Sequence, residues 1–385
     1  MKIITQLKRK DLLDKKVLVR VDFNVPIKRS KVVDGFRIDQ NLPTINYLLE
    51  KGARVILVSH LGNDGSASLA PVAKYLNKFF PTKLVKNLGH IQFPPTRPRA
   101  HLRSGRRGGG GQIVLLENIR RFDGEKKNDP KFAKQLASLA DIYVNDAFSV
   151  SHRAHASVSA ITKYLPSYAG LLFAKELTNL SLALKPKGKF VVILGGLKFR
   201  TKIPLIKKFL KTADQIFIGG VLANSFFKAL GCDIGSSFAD DDVRYIKPFL
   251  KNKKIILPID TIKNKKNQIV DIGPESLKQI EQITKSAKLI LWNGPMGWFE
   301  VGAKSGTLET AKIIAGLQTR PAKLQRSGAF TIVGGGDTLA AINKLNLLAT
   351  PKASTKAGFS FISTAGGAML DFLATGTLPG IKALK

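Results

Sequence analysis

Cysteine and long apolar runs are both scarce in this sequence, and each shortage excludes a class of protein. Cys232 is the only cysteine, so an intrachain disulfide cannot form and a reducing compartment is favoured. No apolar run approaches the roughly 18 residues that a membrane-spanning helix needs. Residues 1–16 are mixed polar and charged and lack the apolar centre of a secretion signal. We therefore expect a cytoplasmic protein that does not associate with membranes.

Acidic side chains are also few. The chain has 27 Asp and Glu against 62 Lys and Arg, a formal net charge of +35. Such an excess favours anionic partners, which include phosphates, nucleotides, nucleic acid and membrane surfaces. The lysines are scattered along the whole chain, and they are not interleaved with aromatic residues as in proteins that stack bases. A solvated basic surface is the simplest interpretation; nucleic-acid binding stays open but is not favoured.

Predicted strands and helices alternate along two successive halves of the chain. In the first half, apolar runs rich in β-branched residues predict strands at 17–21, 54–60, 113–116 and 142–146, and helical spacing predicts helices at 39–52, 68–80 and 129–139. After a helix predicted over Pro166–Leu184, strands are predicted at 190–194, 215–218, 254–257, 288–292, 330–333 and 359–362. Alternation of this kind is typical of parallel sheets. The predicted fold class is α/β, with two doubly wound, Rossmann-like parallel-sheet domains joined by a helix and a cleft between them.

One segment does not fit this pattern. Residues 93–112 read FPPTRPRAHLRSGRRGGGGQ, with five arginines and no acid. Such a composition cannot form a core and predicts a loop. A basic nucleic-acid arm and a reading-frame artefact are both compatible with it.

Polar residues follow the predicted strands of the first half. The run Val17–Pro26 ends in Asp22 and Asn24, and Arg20 lies inside it. Either Arg20 and Asp22 form an internal ion pair, or Asp22 and Asn24 stand at the carboxyl end of a parallel strand, where ligands bind in open α/β sheets. Four further basic or polar side chains accompany these strand ends: Arg37, His60, Arg120 and Arg153. Arginines that converge at one sheet edge would hold a small anion of several charges. The histidines have no acidic partner at metal-ligand spacing, so we reject a zinc site.

Three glycine-rich corners follow strands of the second half: Gly195–Lys202, Gly334–Thr338 and Thr364–Ala368. Glycines allow the backbone to approach a phosphate, and a helix that starts there favours anions. Lys198 and Lys202 are four apart, which would place them on one helical face, and Asp337 is an acid suited to Mg²⁺. The chain has no GxxxxGK[ST] loop and no HRD or DFG pattern, which excludes P-loop and protein-kinase nucleotide sites.

Taken together, these motifs resemble the phosphoglycerate kinase family, in family order and everywhere outside the arginine-rich segment. They are VRVDFNVP from Val19, SHLG from Ser59, LLEN from Leu115, NDAF from Asn145, HRAH from His152, GG with Lys198 and Lys202, DIGP from Asp271, WNGP from Trp292 and GGGDT from Gly334. The resemblance implies a phosphotransferase with a carboxyl group as acceptor, which uses ADP or ATP with Mg²⁺. It also implies a 3-phosphoglycerate domain at 1–165 with a C-terminal return at 372–385, an interdomain helix at 166–184, and a nucleotide domain at 185–371.

The resemblance also implies roles for particular residues. Those expected to be catalytic are Arg37, Lys198, Lys202, Gly335 and Gly366. Those expected to bind the phosphoglycerate are Asp22, Asn24, Arg37, His60, Leu61, Gly62, Asn63, Arg120 and Arg153. Those expected to bind the nucleotide are Gly195, Lys198, Lys202, Gly219, Val270, Asn293, Pro295, Glu300, Gly335, Gly336, Asp337 and Thr338. Asp337 is the expected metal ligand, and we expect a monomer.

The sequence departs from the family pattern at four positions. Asn63 stands where the family usually has Arg, which puts one phosphoglycerate contact in question. Phe361 and Ala365 stand where His and Gly are usual, and Val221 replaces a frequent Gly beside the nucleotide. The alternative function is a catalytically impaired chain of the same fold that binds nucleic acid through its basic surface. Arg37, Lys202 and Asp337 argue against it, because RNA binding does not need them together.

Overall fold

The computed structural model describes residues 1–91, 93, 113–197, 199, 202–298, 302–303, 305–316, 328–345 and 358–385. The predicted site residues Lys198 and Glu300 and most of the arginine-rich segment lie outside these residues. The chain divides into two compact units, one of Met1–Leu177 with Thr377–Lys385 and one of Thr178–Gly376. None of the described helices is both long and apolar enough to cross a membrane.

The secondary structure alternates as the sequence predicts. The helices are α1 Arg9–Leu12, α2 Phe36–Glu50, α3 Ala70–Leu76, α4 Asp123–Lys126, α5 Pro130–Ala137, α6 Leu171–Leu184, α7 Ile203–Thr212, α8 Val221–Ala229, α9 Lys247–Leu250, α10 Pro274–Lys285, α11 Ser305–Ala315, α12 Gly336–Lys344, α13 Gly367–Thr375 and α14 Pro379–Ala383. The strands are β1 Lys16–Arg20, β2 Ile27–Lys28, β3 Lys31–Val32, β4 Arg54–Val58, β5 Thr82–Val85, β6 Ile113–Leu116, β7 Ile142–Asn145, β8 Ser167–Ala169, β9 Phe190–Leu194, β10 Gln215–Ile218, β11 Ile255–Ile256, β12 Thr261–Lys263, β13 Ile269–Ile272, β14 Leu289–Asn293, β15 Phe330–Gly334 and β16 Phe361–Ile362.

The first unit is built on a six-stranded sheet in the order β5-β6-β4-β1-β7-β8. Its strand pairs are parallel, and Val17 of β1 is in register with Val55 on one side and Ile142 on the other. Val17, Leu18 and Val19 are all fully buried, which is why this strand is almost uninterruptedly apolar in sequence. Strand β4 lies on one side of β1 and β7 on the other. The strand order therefore reverses at β1, and ligands bind at such a switch point in sheets of this type.

The second unit repeats the design with the order β11-β10-β9-β14-β15-β16, again with parallel pairs. Here β9 is the switch strand, because β10 lies on one side of it and β14 on the other. All five residues of β9 are buried. Two short antiparallel pairs, β2 with β3 and β12 with β13, lie outside the two large sheets.

The helix predicted over Pro166–Leu184 begins only at Leu171. The residues before it form strand β8 at the edge of the first sheet, where Ala169 is in register with Asn145. The first residues that the amphipathic pattern assigned to the helix therefore pair with the sheet instead.

The last residues of the chain belong to the first unit. After α13, the backbone N–H of Gly380 donates to the carbonyl of Ser151 at 2.8 Å. A side chain at Gly380 would lie 2.6 Å from the Ser151 hydroxyl, so the close approach depends on glycine.

Candidate active site

Four neighbouring strands of the first sheet bring the predicted polar residues to one edge. Asp22 follows β1, His60 follows β4, Arg120 follows β6 and Arg153 follows β7, and these strands are adjacent in the order β6-β4-β1-β7. Arg37 comes from the first turn of α2. The carboxyl ends of parallel strands share an edge, so the fold collects cations at the switch point.

Asp22 pairs with Arg37 and not with Arg20. The Arg37 guanidinium donates to the buried Asp22 carboxylate at 2.7 Å, and about a quarter (26%) of the Arg37 side chain stays exposed. Asn41 donates to the Arg37 carbonyl at 2.8 Å. Of the two interpretations of this strand, the ion pair within it is wrong, and Asp22 instead orients a partly exposed arginine.

The loop after β4 is held from two neighbouring strands. The Gly62 N–H donates to the Asn24 side-chain oxygen at 3.0 Å, and the Arg120 guanidinium donates to the Gly62 carbonyl at 2.5 Å. The Leu61 carbonyl accepts from the Asn118 amide at 2.7 Å. Asn63, which follows, is exposed. The structure thus brings Asn24, Leu61, Gly62 and Arg120 together.

Arg120 carries donors that the described part of the chain does not use. Its Nε and Nη2 atoms are buried, and within the described residues they have no hydrogen-bond partner. Burial, followed by repulsion from Arg153 and Arg20, lowers the pKa of Arg120 to about 10. A buried guanidinium with unused donors is costly unless an anion satisfies it, so this arrangement is suited to an anion.

His60 lies next to these arginines and is itself buried. Burial, and then the charges of Arg20, Arg120 and Arg153, lower its pKa well below the usual range. Arg153 is exposed, and its Nε donates to the ring of His152 at 3.1 Å. The site therefore offers a neutral imidazole among guanidinium groups.

Sequence reasoning missed how the buried residues behind this edge are connected. Arg20 is fully buried and donates from Nε to the Ser157 hydroxyl at 2.9 Å. The Ser157 hydroxyl in turn donates to the buried Glu125 carboxylate at 2.6 Å. The signal for Arg20 was a charge inside an apolar strand, whereas Glu125 stands in a polar stretch that gave no signal.

The edge of the second sheet is formed by glycine corners. The Gly195 N–H donates to the carbonyl of Asn293 at 2.9 Å, the Gly196 N–H to that of Pro295 at 3.0 Å, and the Gly219 N–H to that of Leu194 at 2.8 Å. A Cβ at Gly219 would lie 2.6 Å from the sulfur of Met296. These contacts leave no room for larger side chains, so the backbone itself lines this edge.

Three helices of this unit begin directly after a glycine with positive φ. They are α8 after Gly220 (φ +62°), α12 after Gly335 (φ +106°) and α13 after Gly366 (φ +55°). Thr338, in the first turn of α12, accepts from the Gly294 N–H at 2.9 Å and so ties two corners together. Helix N-termini favour phosphate oxygens, although at α8 the Leu222 N–H already donates to the Gly196 carbonyl at 2.9 Å.

The spacing of Lys202 from Lys198 predicts that Lys202 lies within a helix, but in the structure it does not. Helix α7 begins at Ile203 with Lys202 as its N-cap, because Pro204 is favourable in a first turn and unfavourable further in. The prediction that Lys202 lies within a helix is therefore wrong. Its ammonium is buried and donates to the Gly195 carbonyl. Burial lowers the pKa of Lys202 to about 8, and the Asp337 charge opposes this shift.

A narrow, partly open pocket lies beside these corners. Val270 is part of its lining, as are Gly220, Val221, Asn224 and Met296. Val221, one of the four departures, is buried and therefore narrows the pocket relative to glycine. Phe361 and Ala365 are also buried, in and just after β16.

Asp337 is exposed in the first turn of α12. In the part of the chain that is described, no group of three His, Cys, Asp or Glu side chains could hold a metal ion by itself. A single carboxylate is nevertheless a typical protein contribution to Mg²⁺, whose remaining ligands are waters and substrate phosphates. The residues present fit a metal that arrives with a nucleotide.

The sequence profile of the family described as "Phosphoglycerate kinase" matches residues 7–376. The chain belongs to the phosphoglycerate kinase family. Among curated relatives, phosphoglycerate kinase of Dictyoglomus turgidum is 41% identical over 414 aligned positions, which cover 100% of this chain and 99% of the relative. The phosphoglycerate kinase of Thermus thermophilus is 38% identical, and the alignment covers 96% of this chain and 97% of the relative.

Solved structures of phosphoglycerate kinases have the same fold. That from Coxiella burnetii aligns with a TM-score of 0.78 at 35% identity over 99% of this chain and 97% of the other. That from Pyrococcus horikoshii aligns with a TM-score of 0.77 at 28% identity over 100% of this chain and 98% of the other. The predicted α/β class with two parallel sheets is confirmed. These relatives support the phosphoglycerate kinase interpretation and give no support to the nucleic-acid alternative.

Proposed function

We propose that this protein catalyses reversible phosphoryl transfer between 1,3-bisphosphoglycerate with MgADP and 3-phosphoglycerate with MgATP, as a cytoplasmic monomer. The observation that carries the proposal is that each sheet edge suits a different anion. The first edge holds Arg120 with unused buried donors, and the second holds glycine corners at three helix starts.

The first edge is assigned to the phosphoglycerate. Asp22 orients Arg37, and Asn24 and Arg120 hold the loop at Gly62. These contacts fix the cations before the ligand arrives, so binding needs little reorganisation of the protein. His60 and Arg153 complete the set of proposed ligands, and Asn63 replaces the usual arginine with an uncharged amide.

The second edge is assigned to the nucleotide. Val270 and its neighbours line the pocket proposed for the nucleoside, and the helix start after Gly335 is proposed to face its phosphates. Gly195 and Gly219 are proposed to contribute through their lack of a side chain, which lets a phosphate approach the backbone. Asn293 and Pro295 belong to the same edge, since their carbonyls accept from Gly195 and Gly196. Lys198 and Glu300, which lie outside the described residues, remain proposed on sequence grounds.

Catalysis is proposed to rest on positioning and electrostatics. Transferring phosphoryl groups pass through a loose transition state with charge spread over three oxygens, so the protein has little covalent chemistry to perform. Lys202 supplies a compact positive charge on the nucleotide side, and Arg37 supplies one on the phosphoglycerate side. The helix starts after Gly335 and Gly366 add fixed dipoles without any movement of protons.

Asp337 is the proposed protein ligand of Mg²⁺. When bound, the ion offsets negative charge on the nucleotide phosphates. The negative charge of Asp337 also favours the protonated form of Lys202. The carboxylate therefore serves to keep Lys202 charged as well as to receive the metal.

The test is the reverse reaction. MgATP consumption should depend on 3-phosphoglycerate, measured by coupling acyl-phosphate formation to NADH oxidation with a dehydrogenase. ATP consumption that is independent of 3-phosphoglycerate would contradict the proposal. Absence of turnover together with salt-sensitive RNA binding would favour the nucleic-acid alternative instead.

A further inference from the structure

A chain of hydrogen bonds runs from the buried carboxylate of Glu125 to the ring of His60. Glu125 accepts from both the backbone N–H of Ser157 at 2.9 Å and its hydroxyl at 2.6 Å. The hydroxyl of Ser157 accepts from Nε of Arg20 at 2.9 Å. The Nη2 of Arg20 lies 3.3 Å from Nδ1 of His60. All of these side chains are buried.

The direction of every link follows from the chemistry of its members. An ionised carboxylate can only accept, so the Ser157 hydroxyl must donate to Glu125. The carboxylate is ionised, because Arg20, His155 and Ser157 outweigh burial and hold the pKa of Glu125 below its usual value. A guanidinium can only donate, so the oxygen of Ser157 and Nδ1 of His60 must both accept from Arg20.

Arg20 itself is firmly placed. Its Nη1 donates to the carbonyl of Val21 at 2.7 Å and lies 3.4 Å from that of Val58. These acceptors come from the ends of two adjacent strands, β1 and β4, so the guanidinium cannot turn away without losing several bonds at once. One N–H group of Nη2 is thereby aimed at Nδ1 of His60.

We propose that Arg20 is a positioning residue that keeps His60 neutral and protonated on Nε2, so that the ring offers its ligand one N–H donor. The reason is that the hydrogen bond at one ring nitrogen sets the protonation of the other. Arg20, Arg120, Arg153 and His155 are the charged or titratable groups that act on the ring, and together with burial they disfavour a second ring proton. The ring donor complements oxygen acceptors on an anion, while the arginines supply the charge.

This inference rests on the proposed function only for the identity of the ligand. The tautomer itself can be measured in the free protein. The chain has five histidines, and His155 lies in the same buried network without a bond to Arg20, which makes it an internal reference.

The experiment is a long-range ¹H–¹⁵N correlation spectrum of the full chain labelled in histidine, with the His60 signals assigned by their loss in His60→Gln. We expect a protonated Nε2 and an unprotonated Nδ1 at neutral pH, unchanged down to about pH 5, where an ordinary histidine is mostly charged. An Nδ1-protonated ring or an imidazolium at neutral pH would overturn the proposal.

A charge-balanced variant then tests the cause. Arg20→Met combined with Glu125→Gln removes the donor without leaving an unpaired buried charge, and we expect the Nδ1-protonated form to appear beside the other. An unchanged His60 pattern in the folded double variant would show that Arg20 does not set it. If the variant does not fold, the wild-type spectrum still decides the tautomer.

Addition of 3-phosphoglycerate separates this inference from the proposed function. We expect the Nε2 proton of His60 to shift while Nδ1 stays unprotonated. An unshifted Nε2 proton at saturating ligand would support the tautomer and contradict the assignment of His60 to the phosphoglycerate site.

Discussion

At the scale of single residues, the charge of Lys202 decides most about the proposed chemistry. Its ammonium is buried and anchored on the Gly195 carbonyl. Burial lowers its pKa to about 8, so near neutral pH it is still mainly charged, and Asp337 supports that state. Phosphate oxygens would add to this support. Lys202 is therefore a preorganised cation at the edge proposed for the nucleotide.

We predict that Lys202→Ala lowers kcat by at least ~100-fold, comparable to the loss of one preorganised electrostatic donor, and changes the KM for the nucleotide much less. An interaction that strengthens in the transition state lowers kcat, whereas uniform binding changes only KM. Steady-state kinetics with Lys207→Ala, which changes an exposed lysine of the helix that Lys202 caps, provides the matched control. Near-normal kcat with raised KM would make Lys202 a binding residue and shift the catalytic role towards Arg37 and Lys198.

Asn63 offers a test of the phosphoglycerate site. It is exposed and follows Gly62, whose carbonyl is held by Arg120. We predict that Asn63→Arg tightens 3-phosphoglycerate binding by several-fold, because a guanidinium can make a charge-assisted, bidentate contact that an amide cannot. Isothermal titration with Asn63→Gln as the uncharged control, and with ADP as the second ligand, checks this. Unchanged affinity would mean that a neighbouring cation already fills the role.

At the scale of elements, the start of α6 depends on a buried acid. One oxygen of Asp146 accepts from the N–H groups of Leu172 and Phe173 at 2.9 and 3.1 Å. Leu171 donates to the hydroxyl of Thr44 at 2.9 Å. Burial raises the pKa of Asp146 to about 7, although the N–H groups of Leu172 and Phe173 oppose the shift. The helix thus begins on a carboxyl that changes charge near neutral pH.

This raised pKa predicts a pH-dependent stability difference between the wild type and Asp146→Asn. The folded protein binds the proton more tightly than the unfolded chain, so the wild type loses stability as pH rises from about 4 to about 7. The variant cannot titrate here. Its free energy of unfolding relative to wild type should therefore increase across this window, on the order of a few kcal/mol.

Urea unfolding at a series of pH values measures this difference. Asp123→Asn, which removes an exposed carboxylate, controls for the general change in net charge. A stability difference that is independent of pH would contradict the buried titration of Asp146.

Element boundaries show what sequence patterns can and cannot predict. Helix α5 was predicted from Asp129, and Asp129 does cap it by accepting from the Lys131 N–H at 2.7 Å. Helix α2 starts at Phe36, before the predicted Asp39, because Asp34 accepts from the Phe36 N–H at 2.9 Å. Strand β5 was not predicted, since its pairing with β6 is a tertiary effect without a strong apolar pattern.

Site residues also divide into those that local sequence patterns predict and those that depend on tertiary contacts. Asp22, His60 and Arg120 could be predicted, because they follow apolar strands and parallel strands end together. The partners of Arg20 could not, because Ser157 lies 137 positions away and joins the network only through folding. The partner of Asp22 was also ambiguous in sequence, and the structure assigns it to Arg37.

At the scale of the whole molecule, the two proposed ligand sites belong to different compact units. Phosphoryl transfer requires reacting atoms roughly 3–3.5 Å apart, so turnover requires the two bound ligands to meet. We predict that the radius of gyration in small-angle scattering decreases only when 3-phosphoglycerate and an unreactive MgATP analogue are both present. Each ligand alone is the control. An unchanged radius with both ligands bound would remove the argument for hinge closure.

The central claim is transfer of one particular phosphoryl group, and label transfer tests it most directly. The protein is incubated with MgADP and 1,3-bisphosphoglycerate that carries the label only in its acyl phosphate, and the nucleotides are then separated. We predict labelled ATP, with the label at its terminal phosphate and none in the 3-phosphate of the product. Label recovered only as inorganic phosphate, with no labelled ATP, would contradict the account.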